Sequence, residues 1–200
     1  DTTPRLDSVL NKKVLTQAEI DKYVSENWVA GRWGHVKDGD FVTVNGQFKI
    51  DGGMHSQDAF EFFLKKNADN GLNYKVTSVK SFAEKNTTAG EIFVMELPNG
   101  VKKLQLPYNA FKNNKLGKDS FGYNLDGTKA RGVKTIVPSS WTDSDFIQAA
   151  DSIMSDTANL KKTSSWSNTW LGDYNGVKMQ IFTNAEPRPK ITSMYPFWKQ

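Results

Sequence analysis

Asn45-Gly46 restricts the fold of this chain more than any other pair. It separates Phe41-Val42-Thr43-Val44 from Gln47-Phe48-Lys49-Ile50. A two-residue connection of the mirror-image turn type needs positive φ at both central positions, and Asn-Gly supplies it at least cost. Runs of strand chemistry on either side of such a pair predict a β-hairpin. The hairpin lies inside a longer stretch, Gly34 to Ser56, that holds both histidines of the protein, His35 and His55. His35 follows Gly34, and His55 stands two residues after Gly52-Gly53. The histidines are thus expected in glycine-marked loops at the open ends of the hairpin, near each other.

Histidine is the side chain whose ordinary pKa lets it give or take a proton near neutrality. Glycine lets a ligand approach the peptide N–H groups closely. The stretch therefore reads as a site with two acid–base groups and a bare backbone between them. Two other readings stay open. The histidines are surface loop residues, or they ligate a metal with help from Asp40 or Asp51. The second lacks a cysteine, a third histidine and an HExxH helix.

The rest of the chain falls into short elements. Thr16-Gln17-Ala18-Glu19 is a capping box that starts a helix from Gln17 to about Trp28, with Ile20, Tyr23, Val24 and Trp28 on one face. Ser56 caps a helix to about Asn67, buried along Ala59, Phe60, Phe63 and Leu64 and closed by Asn70-Gly71. His55 then precedes a helix N-terminus, where free N–H groups favour an anion. Strands are expected at Tyr74–Val79, Glu91–Leu97, Val101–Leu106 and Arg131–Val137, the middle two joined at Pro98-Asn99-Gly100. Residues 109–130 read as a loop, with Lys112, Lys115 and Lys118 among aromatics as an alternative contact surface. Thr142 caps a helix over about Asp143–Met154, with Phe146, Ile147, Ala150 and Ile153 inward. Residues 155–168 read as a connection, and strands follow at Trp170-Leu171, Val177–Phe182 and Ile191–Tyr195. Turns are expected at Gly172–Gly176 and Pro187-Arg188-Pro189.

With 200 residues, 38% hydrophobic and 12% aromatic, the chain has enough apolar surface for a core in one domain, or one domain plus a subdomain. The absence of cysteine means the fold needs no disulfide or thiolate–metal staple. The net charge of +4 fits an anionic partner. No apolar run approaches the length of a membrane span, and the N-terminus lacks the plan of a signal peptide. Starting with Asp rather than Met, the chain is expected to be part of a longer precursor or a trimmed form.

Four blocks in order carry a resemblance. His35-Val-Lys-Asp-Gly-Asp-Phe41 followed by Gly52-Gly53-Met54-His55 resembles the two-histidine motif of EndoU-type endoribonucleases, H-x-x-x-G-D and then G-G-x-H. Lys134-Thr135-x-x-Pro138-x-x-Trp141 looks like that family's catalytic lysine strand, in its bacterial form. Ile191-Thr192-Ser193-Met194-Tyr195-Pro196 is similar to its closing S/T-x-Y-P strand. The resemblance runs from about residue 30 to the C-terminus.

It implies an α+β, EndoU-like fold: a helical N-terminal part over residues 1–30, then a nuclease domain over 31–200. That domain would divide into subdomains at about 31–108 and 109–200, as two small antiparallel sheets with the active site between them. It also implies acid–base chemistry on RNA without metal or cofactor. His55 takes the proton from the ribose 2′-OH, and His35 protonates the leaving 5′-oxygen. The products are a 2′,3′-cyclic phosphate and a 5′-OH. Lys134 and the N–H groups around Gly53 stabilise the phosphorane; Tyr195 stacks on the base or ribose and Ser193 bonds a base edge. The bacterial form of the lysine block suggests a monomeric toxin domain of contact-dependent growth inhibition or a related system. Such a domain is secreted or delivered from a bacterial surface to act in the target-cell cytoplasm. It would cut tRNA or another cellular RNA and meet a cognate immunity protein. The rival functions are a non-catalytic RNA-binding module of the same fold and a metal-dependent phosphodiesterase built on His35, Asp40 and His55.

Overall fold

The computed structural model describes residues 14–114 and 121–200. Lys115, Lys118 and most of the N-terminal segment lie outside the described residues. Helix α1 (Gln17–Asn27) starts at the predicted box: Thr16 Oγ1 accepts from Glu19 N at 3.2 Å, and the Glu19 carboxylate accepts from Thr16 N at 3.1 Å. Ile20, Tyr23 and the following Trp28 are buried.

The next element corrects the loop expected around His35. A short helix, α2 (Arg32–Asp38), carries that residue. Gly34 lies inside the helix despite its poor propensity. Gly39 terminates it at φ 84°, its N–H donating to the His35 carbonyl at 3.0 Å. That is a left-handed cap, so the second glycine marks a helix end rather than an open loop.

The hairpin forms as expected from β1 (Asp40–Val44) and β2 (Gln47–Gly52), with Asn45 at φ 51° and Gly46 at φ 79°. Ser56 then caps α3 (Gln57–Asp69), its Oγ accepting from Ala59 N. Bonds from Gly71 N to Ala68 O and from Leu72 N to Asn67 O close the helix, the pattern of a Schellman motif.

Strands β3 (Lys75–Ser78), β4 (Glu91–Glu96), β5 (Lys102–Gln105) and, later, β8 (Val133–Ile136) make one sheet in the order β3-β4-β5-β8. β3 runs parallel to β4 and the other pairs are antiparallel. The described part of the segment read as one loop over 109–130 holds the end of a single 3₁₀ turn (Tyr108–Ala110) and a small hairpin, β6 (Phe121–Tyr123) and β7 (Lys129–Arg131). Its strands are three residues long, too short for period-two alternation to register.

Helix α4 (Asp143–Met154) begins at a second capping box, Thr142 with Asp145, and buries the four predicted residues. The chain closes with an antiparallel sheet of β9 (Leu160–Thr163), β10 (Ser167–Tyr174), β11 (Val177–Asn184) and β12 (Ile191–Pro196), in the order β12-β11-β10-β9. β9 corrects the connection expected over 155–168. It is a polar edge strand whose lysines suit an unpaired edge. Gly172 lies within β10 rather than in a turn: a Cβ there would meet Asn159 and Ile153 at 2.9–3.0 Å. The turn is the second Asn-Gly pair of this kind, Asn175 at φ 49° and Gly176 at φ 78°.

The fold is mixed α+β. Its contacts gather into two units that cut across chain order. The first unit joins the described residues up to Gly34 to Ser140–Phe197; the second joins His35–Ser139 to Trp198–Gln200. In the first, α4 packs on β10 over fully buried Trp170, Met179, Ile181 and Met194. In the second, Ile50, Met54, Phe60, Phe63, Ile92, Leu104 and Ile136 form the core, with Phe41, Phe48 and Tyr74 at its margin. No helix among the described residues is long and apolar enough to cross a membrane.

One buried amide sews α3 to the hairpin. Asn67 Oδ1 accepts from Phe48 N and Asn67 Nδ2 donates to Phe48 O, both at 3.0 Å, and Nδ2 also donates to Phe63 O. Asn67→Leu leaves both Phe48 groups without this partner at a site where the native side chain is fully buried. It should destabilise the protein by about 1–3 kcal/mol, read as a lowered denaturation midpoint with an unchanged far-UV spectrum in native buffer.

Candidate active site

The site grows from the turn Gly52-Gly53-Met54, which leads from β2 to the cap of α3. Gly53 has φ 67° and lies so close to α2 that a Cβ would fall 1.7 Å from the His35 carbonyl oxygen. Gly52 faces the His35 ring, where a Cβ would come within 2.6 Å of Cε1. Both glycines are therefore demanded by close approach to His35. Met54 takes the same left-handed conformation at φ 67°, unusual for a side-chain-bearing residue, and is fully buried.

His55 is held on three sides. Its N–H donates to Val36 O at 2.9 Å, its carbonyl accepts from Val137 N at 3.0 Å, and its ring Nδ1 bonds Thr135 O at 2.7 Å. A carbonyl only accepts, so Nδ1 carries the hydrogen and Nε2 the lone pair. The residue is 8% exposed. Burial first, then the nearby Lys134 charge, pushes its pKa down to about 3; the Thr135 bond opposes this and His35 adds to it. His55 is thus a neutral imidazole at physiological pH, with its basic nitrogen fixed.

His35 has a different environment. Its Nδ1 bonds the Asp40 carboxylate across the turn between α2 and β1. Asp40 fixes the ring and supplies the counter-charge an imidazolium needs. The His35 side chain keeps 18% of its surface exposed.

Lys134 lies on β8, one residue before Thr135, and its Nζ donates to Gly53 O at 3.0 Å. Burial lowers its pKa to about 8. The same glycine turn thus touches His35 through its close approach and Lys134 through its carbonyl.

The structure brings together four of the six predicted site residues, His35, Gly53, His55 and Lys134, within the second unit. Ser193 and Tyr195 lie on β12 of the first unit, opposite Phe182 and Gln180 respectively, with the Tyr195 and Phe182 rings 5.8 Å apart. Two supporting groups were not assigned these parts from sequence. Asp40 entered only as the acidic end of H-x-x-x-G-D and as a candidate metal ligand. The Thr135 carbonyl is a backbone group 80 residues from His55, without a sequence signal. No cluster of three or more His, Cys, Asp or Glu is placed to hold a metal ion among the described residues. Comparison with family models, with curated proteins and with solved structures finds no match.

The depressed pKa has a stability consequence. In the unfolded chain His55 titrates near its ordinary 6.5, and in the folded chain near 3. Unfolding therefore takes up a proton between these values. The contribution is intact above about pH 6.5 and is lost as pH falls toward 3, at up to about 1.4 kcal/mol per pH unit. Denaturation of wild type and His55→Gln at pH 4.5 to 7 should show a steeper decline for wild type. Parallel curves would contradict the buried neutral ring.

Proposed function

We propose that this chain is a metal-independent RNA endonuclease of the EndoU type. It cleaves by attack of the 2′-OH and leaves a 2′,3′-cyclic phosphate and a 5′-OH. The observation that carries the reading is two histidines in different environments around one glycine turn. His55 is neutral with Nε2 basic, and His35 is paired to a carboxylate.

In this reading His55 Nε2 takes the 2′-OH proton. The freed oxygen attacks the adjacent phosphorus, and the bond to the 5′-oxygen breaks as His35 delivers a proton to it. Lys134 balances the charge that builds on the phosphorane oxygens. A base with a pKa of about 3 is weak, and efficient bases titrate near the working pH. A bound phosphodiester supplies the correction: its negative charge beside the ring favours the imidazolium and raises the pKa in the complex.

The EndoU-like fold and the toxin setting belong to the same proposal and rest on the sequence resemblance. They include a secreted bacterial domain, tRNA or another cellular RNA as target, and a cognate immunity protein. Tyr195 and Ser193 are assigned to the base on that ground, by stacking and by hydrogen bonding.

Cleavage should survive excess EDTA; complete loss restored by Zn²⁺ or Mn²⁺ would favour the phosphodiesterase alternative. His35→Ala, His55→Ala and Lys134→Ala should each slow cleavage by about 10²–10⁴-fold, and double variants by much less than the product. Binding of RNA with no cleavage under any condition would leave the non-catalytic module. The pH profile should separate free from bound enzyme. The acid limb of kcat/KM should lie well below pH 6, because free His55 stays neutral there, and the acid limb of kcat should lie higher. The alkaline limb of kcat/KM, which reports the free enzyme, should lie no later than about pH 8, where Lys134 discharges.

A further inference from the structure

At one end of the C-terminal sheet Trp166 exposes 80% of its surface, more than any other large hydrophobic residue described. It stands in the turn between β9 and β10, and that turn is tightly built. Ser164 N donates to Ser167 O at 2.8 Å. The Ser164 hydroxyl donates to Ser167 O at 3.0 Å and accepts from Ser167 N at 3.0 Å and from Trp166 N at 3.4 Å. The Trp166 carbonyl accepts from Ala185 N at 3.1 Å, which ties the turn to the chain leaving β11. The indole is thus presented on a fixed frame rather than on a loose loop.

Cations lie along the strand and the segment that lead into this frame. Lys161 and Lys162 are exposed on β9, and Arg188 and Lys190 are exposed on the segment between β11 and β12. Glu186 is the one carboxylate in the stretches 158–167 and 184–190. None of the four cations is in an ion pair among the described residues; Lys161 Nζ bonds only a carbonyl, Ala158 O. Lys162 is also in register across the sheet with Thr169, then Phe182, then Ser193. Three strand spacings span about 14 Å, so Lys162 and Ser193, one of the two residues assigned to the base, lie in one transverse row.

An exposed aromatic plane beside unpaired cations is what a single-stranded nucleic acid needs: a face to stack a base on and charge for its phosphates. A basic protein partner would be repelled here, and an acidic one would not require the indole. We propose that Trp166, with Lys161, Lys162, Arg188 and Lys190, is a second contact for single-stranded RNA, outside the histidine site. The inference rests on the RNA-cleaving reading for its biological sense but stands on its own surface chemistry.

The test measures affinity for a fluorescent single-stranded RNA with 2′-O-methyl sugars, which offers no attacking hydroxyl. Trp166→Ala should weaken binding by about 5–100-fold, and Trp166→Phe should keep most of the affinity. Lys161→Ala with Lys162→Ala should lower the salt dependence. Cleavage of a dinucleoside phosphate, too short to use two contacts, should be unchanged in Trp166→Ala. Because the indole is exposed, melting should also be unchanged; if it is not, Trp166→Phe against wild type decides. Equal affinity of Trp166→Ala and wild type would overturn the contact and leave the face to a protein partner, whether or not the protein cuts RNA. Binding that depends on Trp166 in a protein that cuts no RNA would keep the contact and refute the nuclease reading.

Discussion

The hydrogen bond from His55 Nδ1 to the Thr135 carbonyl is the constraint on which the candidate site depends. It joins the end of the glycine turn to β8, and β8 carries Lys134 on the preceding residue. It fixes the tautomer, so the basic nitrogen is Nε2. It also compensates part of the cost of burying an imidazole, since a ring shielded from water needs a partner for its N–H. The Gly53 carbonyl does the same for Lys134. His55 and Lys134 thus each bond a backbone carbonyl, and His35 bonds the Asp40 carboxylate.

That arrangement explains the glycines. Gly53 has no room for a Cβ because the His35 carbonyl is there, and α2 ends at Gly39 because the chain must reverse into β1. Two acid–base groups 20 residues apart in sequence become neighbours of one turn because the hairpin between them returns the chain to its start. Their surroundings then differ. His55 loses its charge to desolvation and to Lys134, while His35 bonds the Asp40 carboxylate.

Much of this was legible in sequence where the signal is local. Asn45-Gly46, the Thr16 box, the Thr142 cap and Ser56 all mark structure within a few residues of themselves, and each element they announce is present. His35 misled because Gly34 and Gly39 look alike in sequence, whereas one lies inside a helix and the other ends it. β9 was hidden because an edge strand of Leu-Lys-Lys-Thr has one apolar residue and no alternation. The parallel pairing of β3 with β4 and the Thr135 tether are long-range facts, and no local pattern encodes them. Gly172 shows the converse error: a glycine taken for a turn is there because Asn159 and Ile153 crowd its α-carbon.

His55 and His35 are proposed to move protons for an attacking 2′-OH. The most direct measurement is the end chemistry and position dependence of cleavage on a defined RNA, compared with the same strand carrying one 2′-deoxy sugar at the cut site. The account predicts 2′,3′-cyclic phosphate and 5′-OH ends on the parent strand and no cleavage at the deoxy position. Cleavage at that position, or 5′-phosphate ends, would mean that an activated water does the chemistry and would contradict the assignment of both histidines.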